Sequence, residues 1–423
     1  MSKPCDAVRD DPAAFLKNIF HAGLAAADPL KTVPLHLPAK PVGRVFVVGA
    51  GKAAGSMALA VENAWPDVAL SGIVVTQYGY GKPTQKIEVI EASHPIPDDS
   101  GERACRRIFQ MLEGLTADDL VLCLLSGGGS ALLSLPAPCL SSVEKRAINR
   151  ALIHSGAPIH KINCVRKHLS AIKGGQLARA AFPASVLSLI ISDVPGDDPY
   201  VVASGPTLPD PTTQAQALDV IDSYHIDVSP AVRAWLADPA HETPKLDDPR
   251  LKNVQAKVIS CNADMLAAAA AFARQQGIEP IMLGDDVEGE AREVGREHGL
   301  MALRCFDRAP CVLISGGETT VTVRGKGKGG RNSEYLLGAV LATGGAERVW
   351  GLACGTDGID GNGGNAGASF SPTTLVQAAK QRIDPQLCLA NNDTYSFFQA
   401  TGELVVTGPT YTNVNDFRAL LVL

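Results

Sequence analysis

Ten residues, GKGKGGRNSE at 325–334, include four glycines, two lysines and one arginine, and no apolar side chain. They lie between LISGGETTVTV and YLLGAVLA, a predicted strand region and a predicted helix. Bare backbone with positive charge suits a mobile cationic lid or wall beside an anion. Arg331 would supply a planar, bidentate grip on carboxylate or phosphate. Two other glycine loops follow apolar runs. In GAGKAAGS (49–56), Gly49 and Gly51 permit a tight turn, and the next helix offers amide N–H groups to an anion. Lys52 falls in that helix's first turn, where the dipole disfavours a cation unless an anion sits beside it; an exposed lysine next to a structural turn is the alternative. In LLSGGGSALLSLP (124–136), Gly127, Gly128 and Gly129 between Ser126 and Ser130 form a candidate anion-binding nest, or simply a flexible loop.

Carboxylates cluster at other strand ends. ISDVPGDDP places Asp193, Asp197 and Asp198 directly after an apolar run, and CGTDGIDGNGGNAGA places Asp357 and Asp360 after another. Such groups suit Mg²⁺ or a general base, with turn-forming Asx residues as the plain alternative. NCVRKHLSAIKGGQLA (163–178) brings Arg166, Lys167, Lys173 and the pair Gly174–Gly175 near one helix, where a solvated basic face is the alternative. SGGET supplies Gly317 and Glu318 just before the opening stretch, and TGPTYTNVNDF is a polar loop near the C-terminus. Glycine loops with Lys or Arg, plus Asp clusters, are what phosphoryl transfer requires, because its catalysis is mostly positioning and charge neutralisation. A dinucleotide fold fits less well. The first loop reads GxGxxxG rather than GxGxxG, and TQYGYGKP (76–83) lacks an acidic residue for a ribose.

The elements that must hold these loops are legible as alternating runs. RVFVVG, GIVVTQ, KIEVIEA, DLVLCLLS and SVLSLIISD read as strands of a parallel sheet covered on both faces. AAGSMALAVENAW, SGERACRRIFQML and SSVEKRAINRALIHSG read as helices, the last opening with Ser141 and Glu144 as a capping box. The polar, proline-containing segment 238–253 reads as a linker. AKVISC then opens a second set of strands and helices, and TTVTVRG follows its predecessor too closely for a helical crossover, so the second sheet is expected to be mixed. The expected architecture is two dissimilar α/β domains: a doubly wound, Rossmann-like domain over 1–240 and a mixed-sheet α/β domain over 241–423.

With 423 residues, more than one core is needed. A net charge of −6 argues against a general nucleic-acid binder. Ten cysteines without CxxC, four of them (Cys123, Cys261, Cys311 and Cys354) in apolar runs, read as buried reduced thiols. Nine histidines without HxH or HExxH give no zinc pattern. The absence of a signal core and of an 18-residue apolar run leads to an expectation of a cytoplasmic protein with no membrane partner.

GAGKAAGSM, ASHPIPDDSG, LLSGGGSALL, NCVRKHLSAIKGG, ISDVPGDDP with SGPT, ISGGETTV, GKGGRNSE, GTDGIDG and GPTYTNVNDF occur in this order over nearly the whole chain. Together they resemble the glycerate kinases that make 2-phosphoglycerate, whose C-terminal half is a MOFRL domain. The resemblance implies ATP- and Mg²⁺-dependent phosphorylation of D-glycerate in a cleft between the two domains. Some members carry the name hydroxypyruvate reductase through an association with tartrate degradation. On this reading, Lys52 and Arg331 offset charge on the transferring phosphoryl group, and Asp193, Asp197 or Asp357 holds Mg²⁺ or accepts the hydroxyl proton. ATP contacts are expected from Gly49, Gly51, Ser126, Gly127, Gly128, Gly129, Ser130, Lys173, Gly317 and Glu318. The chain departs from the family pattern at Ser333, across Asn362–Asn365, and at Tyr411, positions expected to tune the substrate pocket. A homodimer is an expected assembly. The rival readings are an NAD(P)H-dependent hydroxypyruvate reductase, a kinase for a related small hydroxy acid, and a non-catalytic sensor of small molecules.

Overall fold

The computed structural model describes residues 4–423. Two compact units emerge: a parallel unit of Pro29–Ser192 with Asp197–Ile259, and a mixed unit made from the chain up to Asp28, Asp193–Gly196 and Ser260–Leu423. The sequence-based boundary at 240/241 therefore differs from the compact units at three places.

In the parallel unit, strands β1 (Val45–Ala50), β2 (Leu70–Gln77), β3 (Ile87–Ala92), β4 (Leu120–Leu125), β5 (Ser185–Ile191) and β6 (Val254–Ser260) are ordered β3-β2-β1-β4-β5-β6. β1 and β4 are buried throughout, as expected for apolar runs covered on both faces. They pair in parallel, with Gly49 opposite Leu124 and Ala50 opposite Leu125. The order reverses between β1 and β4, and in doubly wound sheets ligands bind at that switch point. A helical layer of Ser142–His154, Ile159–His168, Gln214–Ser223 and Pro230–Ala237 has its own core around Ile148, Leu152, Val165, Ile221 and Val232. Ser141 caps the first of these helices, accepting from Glu144 N at 3.2 Å.

AKVISC does not begin the second sheet. As β6 it follows β5 in the first sheet's order, and Val186 N donates to Asn253 O at 3.0 Å, so the β5 edge is covered. Nor is 238–253 a loose linker. Pro244 O accepts from Asp210 N at 2.9 Å, and Glu242 accepts from Gln214 N at 3.0 Å.

The mixed unit contains β7 (Glu279–Gly284), the short pair β8 (Gly289–Glu290) and β10 (Thr319–Thr320), β9 (Cys311–Ser315), β11 (Val349–Gly355), β12 (Gly367–Phe370), β13 (Leu404–Val405) and β14 (Asp416–Val422). Its main sheet is ordered β13-β12-β11-β14-β9-β7. β7 and β9 pair in parallel, whereas β14 runs antiparallel to both β9 and β11. The sheet is mixed as expected, but for a different reason. TTVTVRG contributes only the two-residue β10, because beyond it Thr322 N donates to the Glu290 carboxylate and Arg324 N to Asn392 Oδ1 instead of to a ladder. The central strand β14 lies after the polar C-terminal loop. The N-terminal helix Pro12–Ala26 belongs to this unit: Phe15 stacks on Phe272 and Phe20 packs on Phe417. Cys123, Cys311 and Cys354 are buried, but Cys261 is partly exposed at a helix start.

Candidate functional site

The loops after β1 and β4 are stitched together at the switch point. Lys52 N donates to Gly127 O at 2.9 Å, Ala53 N to Ser126 Oγ at 3.0 Å, and Ser126 N to Ala50 O at 3.1 Å. Gly49 and Gly51 have φ of 147° and 141°, and a Cβ on them would lie 1.9 Å from Leu124 O and 2.0 Å from Ser126 Oγ. Both glycines are thus required by loop packing itself, and Ser126, wholly buried, caps the turn. Gly128 is left-handed at φ 81° and starts the short helix Gly129–Leu132. A Cβ on Gly128 would lie 3.1 Å from the His94 ring and 3.6 Å from Lys52 Cγ, so Lys52 and His94 flank this backbone. His94, within the ASHP motif, was not singled out by the sequence, which gives a lone histidine no special signal. β2 ends at Gln77, and the nearby Glu91 carboxylate accepts from Gly79 N and Gly81 N at 3.0 and 2.9 Å.

A third loop joins these two. A Cβ on Gly129 would come within 2.9 Å of Ala203 Cβ, and Ala203 and Ser204 take left-handed conformations at φ 52° and 62°. Non-glycine residues adopt this region only when their surroundings impose it. Ser130 Oγ lies 2.8 Å from Ser204 Oγ, and Lys173 Nζ donates to Ser130 O and Oγ at 2.5 and 2.7 Å. Lys173 is not on a solvated face: it is 3% exposed, and Lys167 beside it in the motif is 7% exposed. Burial, then repulsion from Lys145 and Arg166, pushes Lys173 well below the usual lysine range. Gly174 and Gly175 are left-handed, and Gly175 sets the start of the helix Gln176–Ala181.

In the mixed unit, Arg331 opens the helix Arg331–Thr343 as the spacing implies, but it is not on a mobile lid. Its guanidinium pairs with Glu318, donates Nε to Asp416 Oδ2 at 2.8 Å and reaches Asn415 Oδ1 at 3.2 Å. These carboxylates hold the arginine above its already high ordinary pKa against the opposing effect of burial. The helix start itself is occupied: Asp360 accepts from Asn332 N and Ser333 N, each at 2.9 Å. Upstream, Gly325 N donates to Asn392 Oδ1, Lys326 N to Asn391 Oδ1, Gly327 N to Asn391 O and Lys328 N to Asp393 Oδ1, at 2.9–3.1 Å. A Cβ on Gly325 or Gly327 would lie 2.2 or 2.4 Å from residues 391 and 393. The alternation is explained: glycines lie against residues 391–394 and the intervening lysines are exposed.

Gly317, at φ 91°, lies against Val287, and Glu318 forms the Arg331 pair. The SGGET turn rests on Arg418, wholly buried, which donates to Gly316 O at 2.6 Å and to Asp416 Oδ2 at 2.9 Å. Sequence reasoning missed Arg418, Asn415 and Asp416. Their signal was a run of hydrogen-bonding residues, NVNDFR, leading into an apolar strand. Asp193 is in the mixed unit, where Asn413 Nδ2 donates to its Oδ2 at 2.8 Å and Asn415 Nδ2 to its backbone carbonyl at 3.0 Å. Asp197 belongs to the parallel unit at φ 54°, so the two aspartates of one motif serve different units. Asp357 Oδ1 accepts from Ile359 N at 2.9 Å in an Asx turn. Among the described residues no group of three His, Cys, Asp or Glu side chains is arranged to hold a metal. Ser333, buried, bonds Gly330 and Thr394, and Asn362 accepts from Gly329 N, so both departures from the family pattern hold backbone.

Strand order and loop placement put the parallel unit among the doubly wound α/β proteins with a switch-point site. Residues 15–237 match the family described as "Domain of unknown function (DUF4147)", and residues 311–416 match the MOFRL family. A relative from Agrobacterium vitis, provisionally named a hydroxypyruvate reductase, is 50% identical over 96% of this chain and 94% of its own. The D-glycerate 2-kinase of Thermotoga maritima is 39% identical over 98% of this chain and all of its own. A crystal structure of glycerate kinase from Thermotoga maritima superposes with a TM-score of 0.88 at 38% identity, covering 97% of this chain and 99% of that one. The chain belongs to the glycerate kinase family that joins a DUF4147 domain to a MOFRL domain.

Proposed function

We propose that the protein is a glycerate 2-kinase, transferring the γ-phosphoryl group of ATP to the C2 hydroxyl of D-glycerate. The P–O bond to ADP breaks, a P–O bond to the acceptor oxygen forms, and the hydroxyl proton is lost to a base. The observation that carries this reading is the stitched pair of glycine loops at the β1/β4 switch point, with Lys52 and His94 flanking Gly128. An amide-rich turn beside a lysine suits phosphoryl oxygens; Lys52 lies in that turn, just before the N-cap Ala53 of the helix Ala54–Ala64 and not in the helix's first turn as its spacing suggested. The reductase name is not favoured. A dinucleotide site places a carboxylate at the end of the second strand; β2 ends at Gln77, and the neighbouring Glu91 is committed to backbone amides.

Mg²⁺ would enter with the nucleotide. It needs only one or two protein carboxylates when phosphates supply the other oxygens, and Asp193 and Asp357 offer hard donors of that kind. Bound there, the cation would neutralise charge on the phosphates. Asp197 is the remaining candidate for the hydroxyl proton. Arg331, held in direction by Glu318 and Asp416, is assigned to the transferring phosphoryl charge.

The test is regiochemical. The protein is incubated with Mg-ATP and D-glycerate, then coupled to enolase and pyruvate kinase without a mutase. Immediate signal is expected, because only 2-phosphoglycerate feeds enolase. A signal that depends on added phosphoglycerate mutase would overturn the C2 assignment.

A further inference from the structure

The three basic residues ending the helix Ile159–His168 divide in their environments. Lys167 Nζ lies 3.5 Å from Asp210 Oδ1, and His168 Nε2 lies 2.9 Å from Glu242 Oε1, so both have carboxylate partners. Arg166 does not. Its Nε is buried without a hydrogen bond among the described residues. Lys145 and Lys173, 5% and 3% exposed, are equally without a salt bridge among the described residues. Their hydrogen bonds go to neutral oxygens: Lys145 Nζ to Leu135 O at 2.9 Å, and Lys173 Nζ to Ser130 and, at 3.5 Å, to Ser204 Oγ.

Buried cations without a counter-charge are costly, and a fold usually pairs or neutralises them. Here the charges also oppose one another. Burial pushes Lys145 down to about 8, with Arg166 adding to the fall and Cys105 and Glu102 offsetting part of it. Burial lowers Lys173, with Lys145, Arg166 and Lys167 adding to the fall and Cys105 opposing it. Burial in turn pushes the Cys105 thiol up to about 12, so it brings no negative charge at neutral pH. The Glu102 carboxylate is itself engaged by Ser142 and Arg106.

We propose that Arg166, Lys145 and Lys173, with the hydroxyls of Ser130 and Ser204, form an oxyanion seat for a small organic acid or its phosphoryl donor. The seat deepens the kinase reading by naming a second anion position, for either the acceptor's carboxylate or a further nucleotide phosphate. Arg166 supplies a permanent charge with an unused donor. The two lysines supply charge that an arriving anion stabilises, and the serines orient the oxygens.

The experiment measures melting temperature for wild type, Arg166→Gln and Lys145→Met with D-glycerate, inorganic phosphate or uncharged glycerol. Without anion, Lys145→Met should melt at or above wild type, since it removes an uncompensated buried charge, and Arg166→Gln should melt close to wild type, since Arg166 is only half-buried. Wild type should gain stability with glycerate or phosphate and not with glycerol, and Arg166→Gln should weaken that anion's apparent affinity on the order of tenfold or more. Kinetics then separate the two sources. A raised KM for D-glycerate with unchanged KM for ATP assigns a carboxylate, and the reverse assigns a phosphoryl group. Because the anion favours protonated Lys145, wild-type KM for the anion should rise above pH 8, and Lys145→Met should flatten that rise. The proposal is overturned if Arg166→Gln keeps both KM values and its anion-induced stabilisation. It is equally overturned if the variants melt far below wild type while binding anions normally, which would make the cluster structural. A wild type that binds anions through Arg166 yet transfers no phosphoryl group leaves the seat standing and ends the kinase reading.

Discussion

Asp416 is wholly buried and has two cationic partners, Arg331 and Arg418. That arrangement changes what a substitution at Arg331 does. Read from the sequence, Arg331 is a cation on a lid or wall that offsets charge on the transferring phosphoryl group. The structure makes it one arm of a network with Glu318, Asn415 and Asp416. Arg331→Ala should therefore lower both kcat and stability, the latter by about 1–3 kcal/mol, because the buried carboxylate keeps Arg418 as its ion-pair partner beside the neutral Asn332 amide. Arg331→Lys keeps the charge but not the fork, and should recover a minor part of each. Calorimetric melting alongside steady-state kcat checks this. An Arg331→Ala protein with wild-type melting and lost activity would show that the carboxylate pairs contribute nothing to the fold.

The segment 325–330 behaves as a pinned wall rather than a lid, and its glycines follow from that. Each glycine amide is matched to a side chain or carbonyl of Asn362, Asn391 or Asn392, or to Ser333. Lys328 lies 4.3 Å from the Tyr395 ring centroid. Limited trypsin digestion distinguishes a wall from a lid, since Lys326 and Lys328 are exposed cleavage residues. Cleavage there should be slow in the native protein. It should accelerate several-fold in Asn391→Ala, which removes the acceptor for Lys326 N. Rapid native cleavage at these lysines would restore the mobile lid. The sequence showed the alternation of glycine and lysine but not its cause, because Asn391–Asp393, which faces it, is separated from it by three helices and two strands and carries no motif of its own.

At the scale of the whole chain, what could be read depended on whether a signal was local. Continuous apolar runs marked β1 to β5 and the loops behind them, which made Lys52 and Gly127–Ser130 candidates from pattern alone. β6 was assigned to the wrong sheet because its residues reveal a strand but not its neighbour. The helix Pro12–Ala26 and β14 belong to a unit whose parts lie at opposite ends of the chain, and no periodicity reports such a pairing. His94, Ser204 and Arg418 escaped for a related reason: each gains its role from a partner far away in sequence. Lys173 was a candidate from its motif, but its burial and the repulsion from Lys145 and Arg166 appear only when the helices are packed. The central claim is phosphoryl transfer rather than hydride transfer. The most direct measurement follows one sample by ³¹P NMR with Mg-ATP and D-glycerate, and a parallel sample by NADH and NADPH absorbance with hydroxypyruvate. The account predicts a 2-phosphoglycerate resonance growing with ADP, and no loss of either reduced cofactor. Consumption of NADH or NADPH with no phosphoglycerate formed would contradict it.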